Sequence, residues 1–385
     1  MLLIDEGWTQ TLELARALER EGFAVTVATA NGTSVRTSHR TVTWVSCPHV
    51  GSSELVGWID EKMTAEEERA PSVNAGSSPA IPAHFWAFDL VIPLSERLMV
   101  RLWDACVPWS DRVWPSTDAW QRRVLRDKIA LVDELAARGV PTLRQRRIDV
   151  DDTPGIDRAV RDLLFPLVVK GDVGVGGERV RIVDHARELD AAMRWARELG
   201  GAWCLQEWAS GPTYLVGGVF DEGRALRLYA GEKLEQWPAR VGPAIRMRST
   251  NDTRVREVGA TAIQELWWTG IASADVIRRA DGSVALLEIN PRPWGSIACA
   301  ESAGVDLWSA FAALVRGDEV DADLACRDGD ERAVFPRYLM APWYQSVRGA
   351  KMALRDLMRE SDWRDPRFLV HTLRRLARLS RGARV

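Results

Sequence analysis

The chain has 385 residues, 46% apolar and 27% charged, with a net charge of −3. That is a globular composition with room for two or three domains, which excludes a disordered or fibrous chain. It also excludes a dedicated nucleic-acid binder, which would carry a basic excess.

Taken in chain order, Leu2-Leu3-Ile4 reads as a short strand, and Thr9 to Glu21 has helical spacing through Leu12, Ala15, Leu18 and Glu19 before Gly22. Phe23 to Thr29 and Asp89 to Leu94 read as further strands, with an aperiodic small-residue loop at 70–83 between them. Strands alternating with helices predict a parallel, doubly wound sheet. From about residue 115 the texture changes. A single helix is predicted from Ala119 to Arg138, with Leu125, Ile129, Val132 and Leu135 on one face and Gly139 and Pro141 behind it. Strands at Leu167–Lys170 and Val180–Val183 flank a glycine-rich turn, and a helix covers Ala186–Leu199. Strands at Trp203–Trp208 and Tyr214–Phe220 follow, then a helix near Arg254–Trp267 and two strands joined at Asp281-Gly282. This region is mixed α+β, without an internal repeat. The last 41 residues hold 11 Lys/Arg against four Asp/Glu, with helical spacing from Phe368 to Leu379. They read either as a solvated helix docked on the second domain or as a patch for an anionic surface or substrate.

No run approaches the roughly 18 apolar residues of a membrane span. The start, Met1-Leu-Leu-Ile-Asp-Glu-Gly, lacks a basic region, so no signal peptide is expected. The five cysteines (47, 106, 204, 299, 326) are scattered and never spaced CxxC, which predicts a reduced, cytoplasmic protein without disulfides or a zinc knuckle. The five histidines do not cluster, so no histidine-built metal site is expected. Of 51 basic residues only five are lysine: 62, 128, 170, 233 and 351. Arginine-favouring codons explain the surface, but each remaining lysine becomes a candidate for a place that needs a compact ammonium.

Two constellations carry chemistry. Lys170-Gly-Asp-Val-Gly-Val-Gly-Gly177 follows an apolar strand, so backbone N–H groups can approach a polyphosphate beside a point charge. Taken alone it also reads as a plain hairpin turn. The second is Leu286-Leu-Glu-Ile-Asn-Pro-Arg-Pro-Trp-Gly-Ser296. Strand alternation puts Glu288 and Asn290 on one face, with Leu287 and Ile289 on the other. Two hard oxygen ligands at that spacing suit Mg²⁺ against nucleotide phosphates, and Arg292 beside them can take phosphate oxygens bidentately. If Asp281-Gly282 is a two-residue turn, Asp275 falls opposite Glu288, Ser273 opposite Asn290, Val276 opposite Leu287 and Ala274 opposite Ile289. Opposed carboxylates repel unless a cation lies between them, so without one each is expected to raise the other's proton affinity.

The order Lys128, Lys170 with its glycine loop, Gln206-Glu207-Trp208, Asp275 and Glu288-x-Asn290-x-Arg292 resembles the ATP-grasp superfamily. Within it, the chain is most similar to the carboxylate–amine ligases allied to the carbamoyl-phosphate synthetase large subunit. The resemblance covers roughly residues 1–320. It implies a Rossmann-like domain over 1–115, a two-lobed ATP-grasp domain over 116–325 with a mobile lid at about 150–210, and a basic helical extension over 326–385. It implies ATP and Mg²⁺ (or Mn²⁺) as cofactors. Lys128 and Lys170 would bind phosphates, Gly174, Gly176 and Gly177 would cover them, and Gln206, Glu207 and Trp208 would form the adenine hinge. Asp275, Glu288 and Asn290 would hold the metal, and Arg292 would steady the transferred phosphate with Lys170. Lys233 and Arg248 resemble the family's basic strand and loop near the acceptor. Relatives usually carry glutamate at the position of Asp275, one methylene longer.

The implied reaction joins a small carboxylic acid to an amine, amino acids and peptides included, through an acylphosphate. The alternatives are another phosphoryl transfer or a non-catalytic nucleotide-binding scaffold. No nucleic-acid partner is expected, and a homodimer is the base-rate expectation.

Overall fold

A computed structural model describes residues 1–5, 10–30, 43–49, 51–64, 88–174, 177–237, 239–334 and 351. The 70–83 loop, Gly176 and the helix expected at 368–379 lie outside these residues. Two compact units are present, one over residues 1–116 and one beginning at Thr117.

The first unit contains β1 (Leu2–Asp5), α1 (Gln10–Arg20), β2 (Thr26–Thr29), β3 (Thr43–Ser46), α2 (Glu54–Thr64), β4 (Val91–Pro93) and α3 (Glu96–Ala105). Its sheet runs β3-β2-β1-β4 with every pair parallel. All four residues of β1 and of β2 are buried, as expected of central strands covered on both faces. One core cluster joins Leu2, Ile4 and Ala28 to Leu55 and Ile59 of α2 and Leu98 and Leu102 of α3.

The second unit opens with α4 (Ala119–Leu125) and α5 (Lys128–Ala137). The sequence predicts one helix here, and the structure breaks it. Asp127 turns its carboxylate onto the amides of Ile129 and Ala130 at 2.8 and 3.1 Å, capping a new helix. Lys128 thereby becomes the first residue of α5, and its amide, which has no carbonyl of its own helix to reach, donates to the Asp172 carbonyl at 3.0 Å.

A four-stranded antiparallel sheet follows, ordered β5-β8-β6-β7, from β5 (Gln145–Ile148), β6 (Leu167–Gly171), β7 (Val180–Val183) and β8 (Trp203–Glu207). Helices α6 (Thr153–Leu163) and α7 (Ala186–Leu199) pack on the face carrying Leu167, Val169, Val183, Trp203 and Leu205. Alternation leaves Lys170, Cys204 and Gln206 on the opposite face.

The larger sheet runs β13-β12-β9-β10-β11-β14. Its strands are β9 (Thr213–Asp221), β10 (Arg224–Gln236), β11 (Ala244–Ser249), β12 (Gly270–Arg278), β13 (Val284–Asn290) and β14 (Glu331–Ala333). Helix α8 (Thr253–Gln264) covers one face so closely that a Cβ on its Gly259 would run into the Val216 side chain. Val216, Ala274 and Ile289 are mutually opposed in register and share that face. Leu215, Ser273, Asp275, Glu288 and Asn290 therefore belong to the other one. Helices α9 (Ala298–Ser302) and α10 (Leu307–Arg316) complete the unit.

The β12–β13 hairpin departs from the predicted turn. Arg279 donates to the Ser283 carbonyl at 2.8 Å and Gly282 to the Arg279 carbonyl at 2.9 Å, so three residues form the loop and Gly282 takes a φ of 83°. Val276 consequently pairs with Leu286 rather than Leu287. A bulge at Leu287 then restores the count, and Asp275 faces Glu288 and Ser273 faces Asn290 as predicted.

Candidate active site

The residues converge at the end of the β12–β13 pair. Lys128, at the start of α5, donates to Asn290 Oδ1 at 2.9 Å and lies 3.9 Å from Glu288 Oε2. Lys170, near the end of β6, lies 3.4 Å from the same oxygen. It also donates to the Leu287 carbonyl at 2.9 Å, so the bulged residue supplies the acceptor. Lys233 on β10 reaches Asp275 Oδ2 at 2.6 Å. Asn290 Nδ2 donates to Glu288 Oε1 at 3.3 Å. Three of the chain's five lysines thus meet two carboxylates and an amide in one place, with lysine side chains only 9–12% exposed.

These contacts overturn the predicted carboxylate repulsion. Burial alone would raise the Glu288 proton affinity, but the ammonium groups of Lys128, Lys170 and Lys233 and the Asn290 hydrogen bond reverse it. The carboxyl is held well below the usual range. Glu288 is therefore neutralised by two lysines that the family resemblance assigns to phosphates, and Asp275 by Lys233, which it assigns to the acceptor side.

The metal assignment can be tested on the donor set. Asp275 spends one oxygen on Lys233, while its Oδ1 is buried without a hydrogen-bond partner among the described residues. That oxygen, the facing Glu288 and the adjacent Asn290 form a hard-oxygen set that fits Mg²⁺. No cluster of three or more His, Cys, Asp or Glu able to hold a metal occurs among the described residues.

Other predicted residues fall nearby with different surroundings. Arg292 is 8% exposed and donates to the Pro293 carbonyl at 3.1 Å. Gly174 offers its carbonyl 3.4 Å from Lys128 Nζ. Gly177 has a φ of 85°, and a Cβ there would strike the Val241 carbonyl, so no other residue fits. Gln206 lies on the Lys170 face and bonds to Gln145 at 3.4 Å, which in turn donates to Ile129 and Asp133 of α5 at 2.9 Å. Trp208 lies half-buried beneath the Arg240 guanidinium at 4.5 Å.

Glu207 has a role that the sequence conceals. Its carboxylate takes Arg144 Nε at 2.8 Å and Arg279 Nη2 at 2.8 Å, joining the four-stranded sheet to the β12–β13 loop. Nothing local in the sequence pairs three residues so far apart. Cys204 sits opposite Lys170, where burial pushes its thiol up to about 12; it stays protonated and is no nucleophile.

Arg248 is not brought to the cluster. It pairs with Glu232 at 2.7 Å on the sheet face opposite Lys233, with its side chain 48% exposed. Glu232 and Lys233 are strand neighbours, so a partner of one cannot share the face of the other.

Residues 125–296 match the family model described as ATP-grasp domain. The chain carries an ATP-grasp domain. No curated protein sequence matches the chain. Among solved structures, the fold resembles N5-carboxyaminoimidazole synthetase from Staphylococcus aureus complexed with ADP, with a TM-score of 0.67 and 12% identity over 89% of this chain and 84% of that one. It also resembles a biotin carboxylase complex from Campylobacter jejuni, with a TM-score of 0.67 and 14% identity over 86% and 74%. A third likeness is the biotin carboxylase domain dimer of Hydrogenobacter thermophilus 2-oxoglutarate carboxylase, in complex with MgADP, ADP and bicarbonate, at 0.64 and 15% over 86% and 72%. At these identities the likeness is one of fold. Among the described residues, no helix is long and apolar enough to cross a membrane.

Proposed function

We propose that the protein is an ATP-dependent ligase that joins a carboxylic acid to an amine, releasing ADP and phosphate. The observation that carries this reading is the convergence of Lys128, Lys170 and Lys233 on Asp275, Glu288 and Asn290. The named likenesses support it, since two of them are complexes with ADP.

In this reading Lys128 and Lys170 leave Glu288 for the nucleotide phosphates, which are stronger anions, and Lys170 supplies a point charge beside the glycine turn. Gly174 and Gly177 let the backbone close over the phosphates. The apolar group of Leu143, Ile277, Ala285, Leu287 and Ala209 lies beside the Glu207–Trp208 hinge and offers an adenine wall. The carboxylates and Asn290, once freed of the lysines, would hold Mg²⁺, which neutralises and orients the phosphate oxygens. The acceptor carboxylate oxygen bonds to the γ-phosphorus as the bridge to ADP breaks. The amine then bonds to the acyl carbon, phosphate leaves, and the nitrogen loses a proton. Arg292, buried next to Asn290, steadies the transferred phosphoryl group. The lobe at about 150–210 serves as a lid that keeps water from the acylphosphate.

The test is ADP release over paired carboxylates and amines, with mass spectrometry of products. An amide product with stoichiometric ADP is expected. ADP release with a phosphorylated acceptor and no amide would point to phosphoryl transfer, and nucleotide binding without turnover to a scaffold.

A further inference from the structure

Arg179, just before β7, belongs to no motif, yet it ties four parts of the molecule together. Its stem lies against Gly174, whose Cβ, if present, would stand 3.4 Å from Arg179 Cβ. Its guanidinium sits 4.3 Å over the Trp203 ring and 3.6 Å from Asp172 Oδ1. It donates to the Leu199 carbonyl at 3.3 Å and to the Gly200 carbonyl, the end of α7 where a cation is favoured. The main chain tightens the same knot. Gly171 donates to the Arg179 carbonyl at 3.0 Å, and Asp172 donates to the Ala202 carbonyl at 3.0 Å. The Asp172 carboxylate accepts from Val173 and Ala202 amides at 2.9 and 3.3 Å. From this knot two contacts reach the phosphate-binding lysine of the proposed site: the Asp172 carbonyl takes the Lys128 amide at 3.0 Å, and the Gly174 carbonyl lies 3.4 Å from Lys128 Nζ.

We infer that Arg179 is a positioning residue for nucleotide binding, holding Asp172–Gly174 against Lys128 so that Lys128 and Lys170 present a fixed pair of cations to the phosphates. The inference rests on the nucleotide reading given above. Arg179 makes no contact with Lys128 or Lys170 side chains that would let it touch phosphate itself; it acts through the backbone at 172–174. The task also explains the residue type. One planar fork serves two carbonyls, a carboxylate and an indole face together, which a lysine cannot do.

The experiment uses the full chain and three variants, Arg179→Ala, Arg179→Lys and Arg181→Ala. Arg181 is the matched control: it stacks on Trp195 at 5.0 Å and donates to the Ala191 carbonyl at 3.3 Å, anchoring α7 with no route to Lys128. ADP binding with Mg²⁺ is measured by calorimetry, and amide exchange at Lys128 is measured without ligand. Arg179→Ala should weaken ADP about tenfold or more and speed Lys128 exchange, because misplacement of a binding group is costly. Arg179→Lys should fall between, and Arg181→Ala should stay within about twofold of wild type on both readouts, its site being remote from Lys128. Equal ADP affinity and equal exchange in Arg179→Ala and Arg181→Ala would overturn the inference while leaving the nucleotide reading intact. A wild-type chain that does not bind ADP would overturn both.

Discussion

The two faces of the six-stranded sheet carry ion pairs of opposite character one residue apart on β10. On one face Lys233 meets Asp275 at 2.6 Å with side chains 9% and 16% exposed. On the other, Arg248 meets Glu232 at 2.7 Å with 48% and 24% exposed. The separations are alike; the surroundings are not. An exposed pair is screened and contributes roughly 0–1 kcal/mol. A buried pair must recover the desolvation of both charges, so its presence is weak evidence for stability and better evidence that the charges have another use. A related division separates several basic residues of the second unit. Compact lysines occupy the dry cluster around Glu288, whereas arginines stack on the tryptophans of the second unit: Arg138 on Trp120 at 4.3 Å, Arg179 on Trp203 at 4.3 Å and Arg240 on Trp208 at 4.5 Å.

The largest effect is expected where the comparison is inverted, by placing a guanidinium on the dry face. Lys170→Arg keeps the charge but not the shape beside the glycine turn, so ADP formation should fall about 10²-fold. Turnover near that of wild type would show that the lysines of this cluster are interchangeable with the surface arginines. A smaller effect separates the two pairs directly. In metal-free buffer Asp275→Asn strands the buried Lys233 ammonium and should lower stability by roughly 1–3 kcal/mol, whereas Arg248→Ala should cost less than about 1 kcal/mol. Denaturant titration reads both, and equal losses would erase the distinction between the faces. The smallest effect is one of pH. Glu288 is held below its ordinary range, so its ionisation stabilises the fold above the unfolded carboxylate value of about 4.3, and this contribution is lost as pH falls towards the lower folded value. The difference in melting temperature between wild type and Glu288→Gln should be constant near neutrality and narrow in acid. A difference that widens in acid would reverse the assigned direction.

Much of this site is legible in the sequence because it is local. Leu286–Ser296 fixes a strand end, two hard-oxygen side chains on one face and an arginine beyond them, and the rarity of lysine narrows the basic candidates to five, three of which meet there. The opposition of Asp275 and Glu288 is also legible, though by a route that the structure corrects. The turn is one residue longer than Asp281-Gly282 implies, and the bulge at Leu287 compensates for it. A count from the turn cannot detect two offsets that cancel. Arg248 rests on the family resemblance alone, and the β10–β11 register sets it opposite Glu232, off the Lys233 face. The break at Asp127 was hidden because the apolar period runs through it, and the cap becomes decisive only when Asp172 takes the Lys128 amide. The Glu207 clamp and the Arg179 knot join residues with no shared pattern.

Calorimetric titration of ADP, with and without Mg²⁺, into wild type and Glu288→Gln tests the central claim most directly. The account predicts one saturable site in wild type that Mg²⁺ strengthens, and a Glu288→Gln protein that still folds but loses the Mg²⁺-dependent gain. Absence of ADP binding in wild type, or a gain from Mg²⁺ that survives in Glu288→Gln, would contradict it.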